Sequence, residues 1–159
     1  EFTVRMDDIV LGVATCYEVA FDPAYRQAVL DGAQLLSTPT NNATFGFTDM
    51  TYQQLAMSRM RAIEVDRALV VAATSGVSAI VHPDGSVSQE TGIFEPGTLV
   101  ETLPLRDSLT FAARFGHIVQ LGLIILGGML LAAALVTARR KPLRATGKPR
   151  PSTPHRRPS

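Results

Sequence analysis

Cysteine is nearly absent: Cys16 is the only one in 159 residues. A lone thiol forms no internal disulfide. Neither a disulfide framework nor a multi-cysteine metal site is available, and redox compartment cannot be read from cysteine usage. No lysine precedes Lys141. No acidic residue lies between Arg139 and Ser159, and no charged residue lies between Ile118 and Ala138. No Gly-rich phosphate loop, metal-ligand spacing or triad signature appears. The chain begins at Glu1 and enters a strand-like run almost at once, so no signal peptide is expected, and the chain reads as a fragment of a longer protein.

What is present is enough for a core. Hydrophobic residues make up 46% and charged residues 18%, and the length suits about one domain. The net charge of +1 hides a segregation. Eight basic residues follow Ala138, which leaves Glu1–Ala138 at −7. An acidic body with a basic tail points to a membrane or polyanion contact for the tail.

Val4–Ala14 reads as a strand interrupted at Asp7-Asp8, with Ile9–Ala14 apolar enough to be buried on both faces. Asp22-Pro23 starts a helix that runs to Leu30 and ends at Gly32. Ala33–Ser37 is a short strand and Thr38–Thr48 a loop. Asn42-Ala43-Thr44 also matches a glycosylation triplet, with nothing else in its support. Met50–Asp66 is a long helix in which Tyr52, Ala56, Met60 and Ile63 are expected to form the buried stripe. Strands are expected at Ala68–Ala73 and Val77–Val81. A Pro83-Asp84-Gly85 turn leads to a return strand at Ser86–Ser88, and a last strand is expected at Thr98–Leu103. The order is that of an α/β fold.

Ile118–Ala138 is a 21-residue run without charge. At ~1.5 Å per residue it spans about 30 Å, the hydrocarbon thickness of a bilayer. A buried core helix is the competing reading, though such helices are seldom apolar all round. Arg139-Arg140-Lys141 follows directly, so the positive-inside rule puts the tail in the cytoplasm and the body on the extracytoplasmic side. The expected division is 1–116 for the body, 117–138 for the span and 139–159 for a disordered, Pro-rich basic tail.

Cys16 is open to two readings, an inert buried thiol or a nucleophile. Its place between a strand and a helix favours the second, because such turns present side chains at the carboxyl end of a sheet. A nucleophile also needs a base and oxyanion donors. Glu18 is close in sequence, while His82 and His117 have no spacing that marks them as partners.

An ordered series of motifs carries the reading further. Cys16-Tyr17-Glu18 is followed by Gly32-Ala33, Thr40–Gly46 (Thr-Asn-Asn-Ala-Thr-Phe-Gly), Arg59-x-Arg61-Ala62-Ile63-Glu64, Gly76–Ala79 and Pro83-Asp84-Gly85. This series resembles the second half of the carbon–nitrogen hydrolase (nitrilase) domain over about Val4 to Val136. Within that superfamily it is most similar to the bacterial apolipoprotein N-acyltransferase branch. The resemblance implies the C-terminal portion of an αββα sandwich followed by one transmembrane helix. It implies Cys16 as nucleophile of a Glu-Lys-Cys triad whose Glu and Lys precede the cysteine, outside this sequence. Glu18 matches a second family glutamate beside the active site, with a structural carboxylate at the turn as the alternative. The Tyr17 N–H is the implied oxyanion donor, and Asn41, Phe45 and Gly46 shape the active-site loop. Glu64 matches the family too and is read as an ion-pair residue.

The implied partners are a phospholipid acyl donor, a diacylglyceryl apolipoprotein acceptor and the bacterial inner membrane, with no nucleic acid, metal or other cofactor. The sequence departs from the pattern at Asn42 and Thr44, where Asp and Trp are common, at Gln54, where His is common, and before Gly76, where Arg and Asn are frequent. Two other functions are weighed: an amidase of the same superfamily acting on a small C–N bond, and a non-catalytic membrane-anchored module with an inert Cys16.

Overall fold

The structure, a computed structural model, describes residues 2–140, with side chains through residue 138. Apart from the helical backbone of Arg139 and Arg140, the expected disordered tail lies outside the described residues. Two units are distinguished, Glu1–Val119 and Gln120–Ser159.

The first unit is built on a six-stranded mixed sheet whose spatial order follows the sequence: β1 (Thr3–Met6), β2 (Ile9–Val13), β3 (Leu35–Asn41), β4 (Leu69–Ser75), β5 (Ala79–Val81) and β6 (Val87–Glu90). The single strand expected at Val4–Ala14 is an antiparallel hairpin, turned at Asp7, which takes φ 50°. β2, β3 and β4 are parallel, and β5 and β6 return antiparallel. β2 is only partly buried, except at Gly12, and is not the doubly covered strand its composition suggested. β3 continues to Asn41, into the expected loop. Pro39 is tolerated there because the pairing with β2 stops at Ser37, leaving β4 as the only neighbour. β4 likewise runs on through Thr74-Ser75, and Gly76, at φ 109°, is what breaks it.

α1 (Asp22–Leu30) links β2 to β3, and α2 (Met50–Val65) links β3 to β4. Right-handed crossovers between successive parallel strands place both helices on one face. The core lies there: Ala24, Tyr25, Ala28 and Val29 of α1 and Leu55, Ala62 and Val65 of α2 pack with Leu36, Leu69, Val71 and Val81. Alternation in β3 sends Leu36, Thr38 and Thr40 toward the helices and leaves Leu35, Ser37 and Pro39 half-buried on the other face. α1 approaches so closely that a Cβ on Gly12 would stand 2.8 Å from Leu36 Cδ2 and 2.9 Å from Ala28 Cβ.

Two expectations are corrected. Tyr52, Met60 and Ile63 are 48%, 65% and 50% exposed, and Ala56 is exposed as well. The buried face of α2 is Thr51, Gln54, Leu55, Ser58, Ala62 and Val65. Thr98–Leu103 is not a strand. It runs along the sheet face opposite the helices, beside Leu35, Val70 and Ile80, and is held by side chains. His82 Nε2 meets Glu101 Oε1 at 2.7 Å, Ser88 Oγ donates to Glu101, and Gln89 Nε2 donates to Val100 O at 2.9 Å.

α3 (Phe111–Arg140) begins before the apolar run. Its first turns belong to the first unit: Ala113 is buried, and Arg26 donates to Ala113 O at 2.9 Å. The second unit carries the rest of the helix, and Phe111–Ala138 is long and apolar enough to cross a membrane.

Candidate active site

The parallel strands β2, β3 and β4 end on one edge, and the candidate residues gather there. β2 stops at Val13, and the Ala14 N–H donates to Ser37 O at 3.1 Å. The chain then turns sharply at Cys16, which adopts φ 52° and opens a short 3-10 turn, Cys16–Ala20. A left-handed conformation costs a non-glycine residue about 1–3 kcal/mol and persists only where surroundings impose it.

The surroundings do so here. Glu18 Oε2 accepts from the Thr15 N–H at 2.7 Å. Val19 is fully buried. Arg61 of α2 donates to Val19 O at 3.0 Å and to Ala20 O at 2.9 Å, and is itself gripped by Asp22 and Glu64 at 2.5 Å each. Glu64 is thus the ion-pair residue expected from the sequence. Glu18 is turned back onto its own elbow.

The sulphur lies among polar groups of β3 and α2, and its pKa is lowered. The Thr40 hydroxyl has the largest effect in lowering the thiol pKa. Burial opposes it, and the Asn41 N–H, the Gln54 amide and the Tyr17 N–H lower the pKa further. Gln54 Nε2 lies 3.8 Å from Cys16 Sγ. Behind it is a buried network: Asn42 Nδ2 donates to Gln54 Oε1 at 2.8 Å, and Thr40 Oγ1 is 2.9 Å from Asn42 Oδ1 and 3.1 Å from Gln54 Oε1. Gly76 completes it, since a Cβ there would stand 2.9 Å from Asn42 Cβ.

Of the residues expected from the sequence, Tyr17 and Asn41 act on Cys16 through their backbone N–H groups, which help to lower its pKa. The Asn41 side chain works locally, accepting from the Ala43 N–H at 3.1 Å and from Ser75 Oγ at 2.5 Å. Phe45 and Gly46 lie farther along the loop. The Phe45 N–H donates to Asn42 O at 2.9 Å, and Gly46 takes φ 56°. His82 and His117 are engaged elsewhere, with Glu101 and with Arg26. Thr40, Asn42 and Gln54 were not picked as site residues. The available signal was the polar series Thr51, Gln54 and Ser58 at helical spacing on α2. Among the described residues, no group of three or more His, Cys, Asp or Glu could hold a metal ion.

Comparison with known proteins follows the same lines. The carbon–nitrogen hydrolase family profile matches residues 2–111. The chain is 46% identical over 133 residues to the apolipoprotein N-acyltransferase of Mycolicibacterium smegmatis, an alignment covering 84% of this chain and 22% of that protein. It is 38% identical over 128 residues to the apolipoprotein N-acyltransferase of Shewanella oneidensis, covering 80% of this chain and 24% of that protein. The chain therefore spans less than a quarter of the length of either relative. The crystal structure of Nit3 from Saccharomyces cerevisiae, a member of branch 10 of the nitrilase superfamily, superposes with a TM-score of 0.50 at 21% identity. That alignment covers 59% of this chain and 37% of that one, and the likeness is one of fold.

Proposed function

Because the chain belongs to the carbon–nitrogen hydrolase family, we propose that Cys16 is the acyl-carrying nucleophile of an apolipoprotein N-acyltransferase. The observation that carries this reading is the sulphur itself, held at a strained elbow with the Gln54 amide 3.8 Å away. In the first step the Cys16 thiolate attacks the ester carbonyl of a phospholipid. A C–S bond forms, the oxyanion is met by the Tyr17 N–H, the ester C–O bond breaks, and the lysophospholipid leaves with a proton. In the second step the α-amino group of a diacylglyceryl-cysteine attacks the thioester. A C–N bond forms, the triad Glu, which gave its proton to the departing lysophospholipid in the first step, takes one from the amine, the C–S bond breaks, and the thiolate returns. This is a two-step scheme of the covalent type. The Glu and Lys that complete the family triad are contributed from outside this sequence, which has no lysine before Lys141.

Both substrates are lipid-anchored, and the apolar helix α3 supports a site held at a bilayer surface. In this reading α3 spans the bacterial inner membrane with the catalytic body outside and the basic tail in the cytoplasm. Cys16→Ala in the full-length protein is expected to lower N-acylation of a diacylglyceryl lipopeptide, with phospholipid as donor, by at least about a thousandfold. Retained transfer would remove Cys16 from the chemistry.

A further inference from the structure

Gln54 projects from α2 into the site and is only 4% exposed. A buried amide is costly unless its donors and acceptor are matched. Gln54 Oε1 is matched by Asn42 Nδ2 at 2.8 Å and lies 3.1 Å from the Thr40 hydroxyl. Asn42 in turn has its Oδ1 2.9 Å from the Thr40 hydroxyl, and its backbone N–H donates to Ser75 O at 3.0 Å. With Asn42 so placed, reversing the Gln54 amide alone would set its N–H group against Asn42 Nδ2, donor to donor. In this arrangement Nε2 is the end aimed at Cys16 Sγ, 3.8 Å away.

Building on the reading of Cys16 as nucleophile, we propose that Gln54 is the neutral donor that holds and orients the Cys16 thiolate, with Asn42 and Thr40 as the positioning residues that aim it. An amide donates without titrating, so the sulphur gains a partner and the site gains no second proton. In the proposed enzyme the triad Glu and Lys carry the charge at the site, and the charged groups of the elbow and α2 are tied up elsewhere. Glu18 on the elbow accepts from the Thr15 N–H, and Arg61, two turns along α2, is bound to Asp22 and Glu64. A histidine at position 54 would bring a titration into the working range.

The test is the rate of Cys16 alkylation by iodoacetamide against pH in the full-length protein, read at the Cys16 peptide by mass spectrometry. The unsubstituted full-length protein, with its triad Glu and Lys in place, sets the reference curve. Gln54→Leu is expected to move that curve to higher pH and to slow alkylation at pH 7 by about three- to tenfold, the worth of one hydrogen bond. Gln54→His is expected to add an inflection in the imidazole range, about 6.5, that the reference curve lacks. The histidine variant keeps a ring donor, so it carries the test even if the leucine variant loses its fold. A Gln54→Leu curve that superposes on the parent with the fold intact, or a Gln54→His curve with no inflection beyond the parent's, would overturn the proposal. Alkylation reads the thiol and not acyl transfer, so these curves stand or fall separately from the acyltransferase reading.

Discussion

At Cys16 the chain accepts backbone strain to present a thiol. The φ of 52° suits glycine far better than any side-chain-bearing residue. Cys16→Gly is therefore expected to unfold at higher temperature than Cys16→Ala, a gain of about 1 kcal/mol that thermal melts of the full-length variants would measure. The strain and the donor-lined sulphur belong together: both follow from placing the residue at the end of β2, facing the ends of β3 and α2. The lowered thiol pKa has a definite pH consequence. The thiolate is the form present above the lowered pKa, so alkylation rises with pH and levels off at a lower pH than for the same thiol without these partners. Thr40 is the largest cause of the lowering, so Thr40→Val is expected to move the whole curve to higher pH. An unmoved curve would assign the effect to the other donors.

Among the elements, legibility tracked how local the signal was. Pro23 and Gly32 bracket α1 where expected, because φ preferences act within a few residues, but Asp22 is the first helical residue rather than its N-cap and pairs with Arg61 instead. The Pro83-Asp84-Gly85 turn held for the same reason, with Gly85 at φ 80°. The face of α2 was read inversely. Periodicity takes the apolar stripe to be the buried one, but this helix turns Thr51, Gln54 and Ser58 inward, where Gln54 joins the polar network at Cys16, and leaves Met60 and Ile63 out. Thr98–Leu103 alternates like a strand, yet it is fixed to the sheet by the side chains of His82, Ser88 and Gln89 rather than by a backbone ladder. Gln54 was noticed only as a departure from a family pattern, since its partners Thr40 and Asn42 belong to a different element.

Close approach makes two further expectations at this scale. Gly12→Ala overpacks against Leu36 and Ala28 and should cost about 1–3 kcal/mol of stability. Arg61→Met strips the Val19 and Ala20 carbonyls of their donor and should cost about 2 kcal/mol. Thermal melts of the two variants check both. An unchanged melt for Arg61→Met would mean that the elbow is held by Glu18 and Val19 alone.

For the whole molecule, an α/β body whose first unit ends in the opening turns of a long apolar helix suits the proposed reaction, in which both substrates are lipid-anchored. The proposed topology predicts that a membrane-impermeant amine reagent modifies Lys141 only after the cell is opened, and modification from outside would reverse the orientation. The proposed chemistry makes the acyl-enzyme the decisive species. Incubating the full-length protein with phospholipid radiolabelled in its acyl chains, without lipoprotein acceptor, should leave a labelled adduct on the Cys16 peptide. Hydroxylamine should release that adduct, and Cys16→Ala should lack it. Equal labelling of Cys16→Ala, or an adduct that resists hydroxylamine, would contradict a thioester at Cys16.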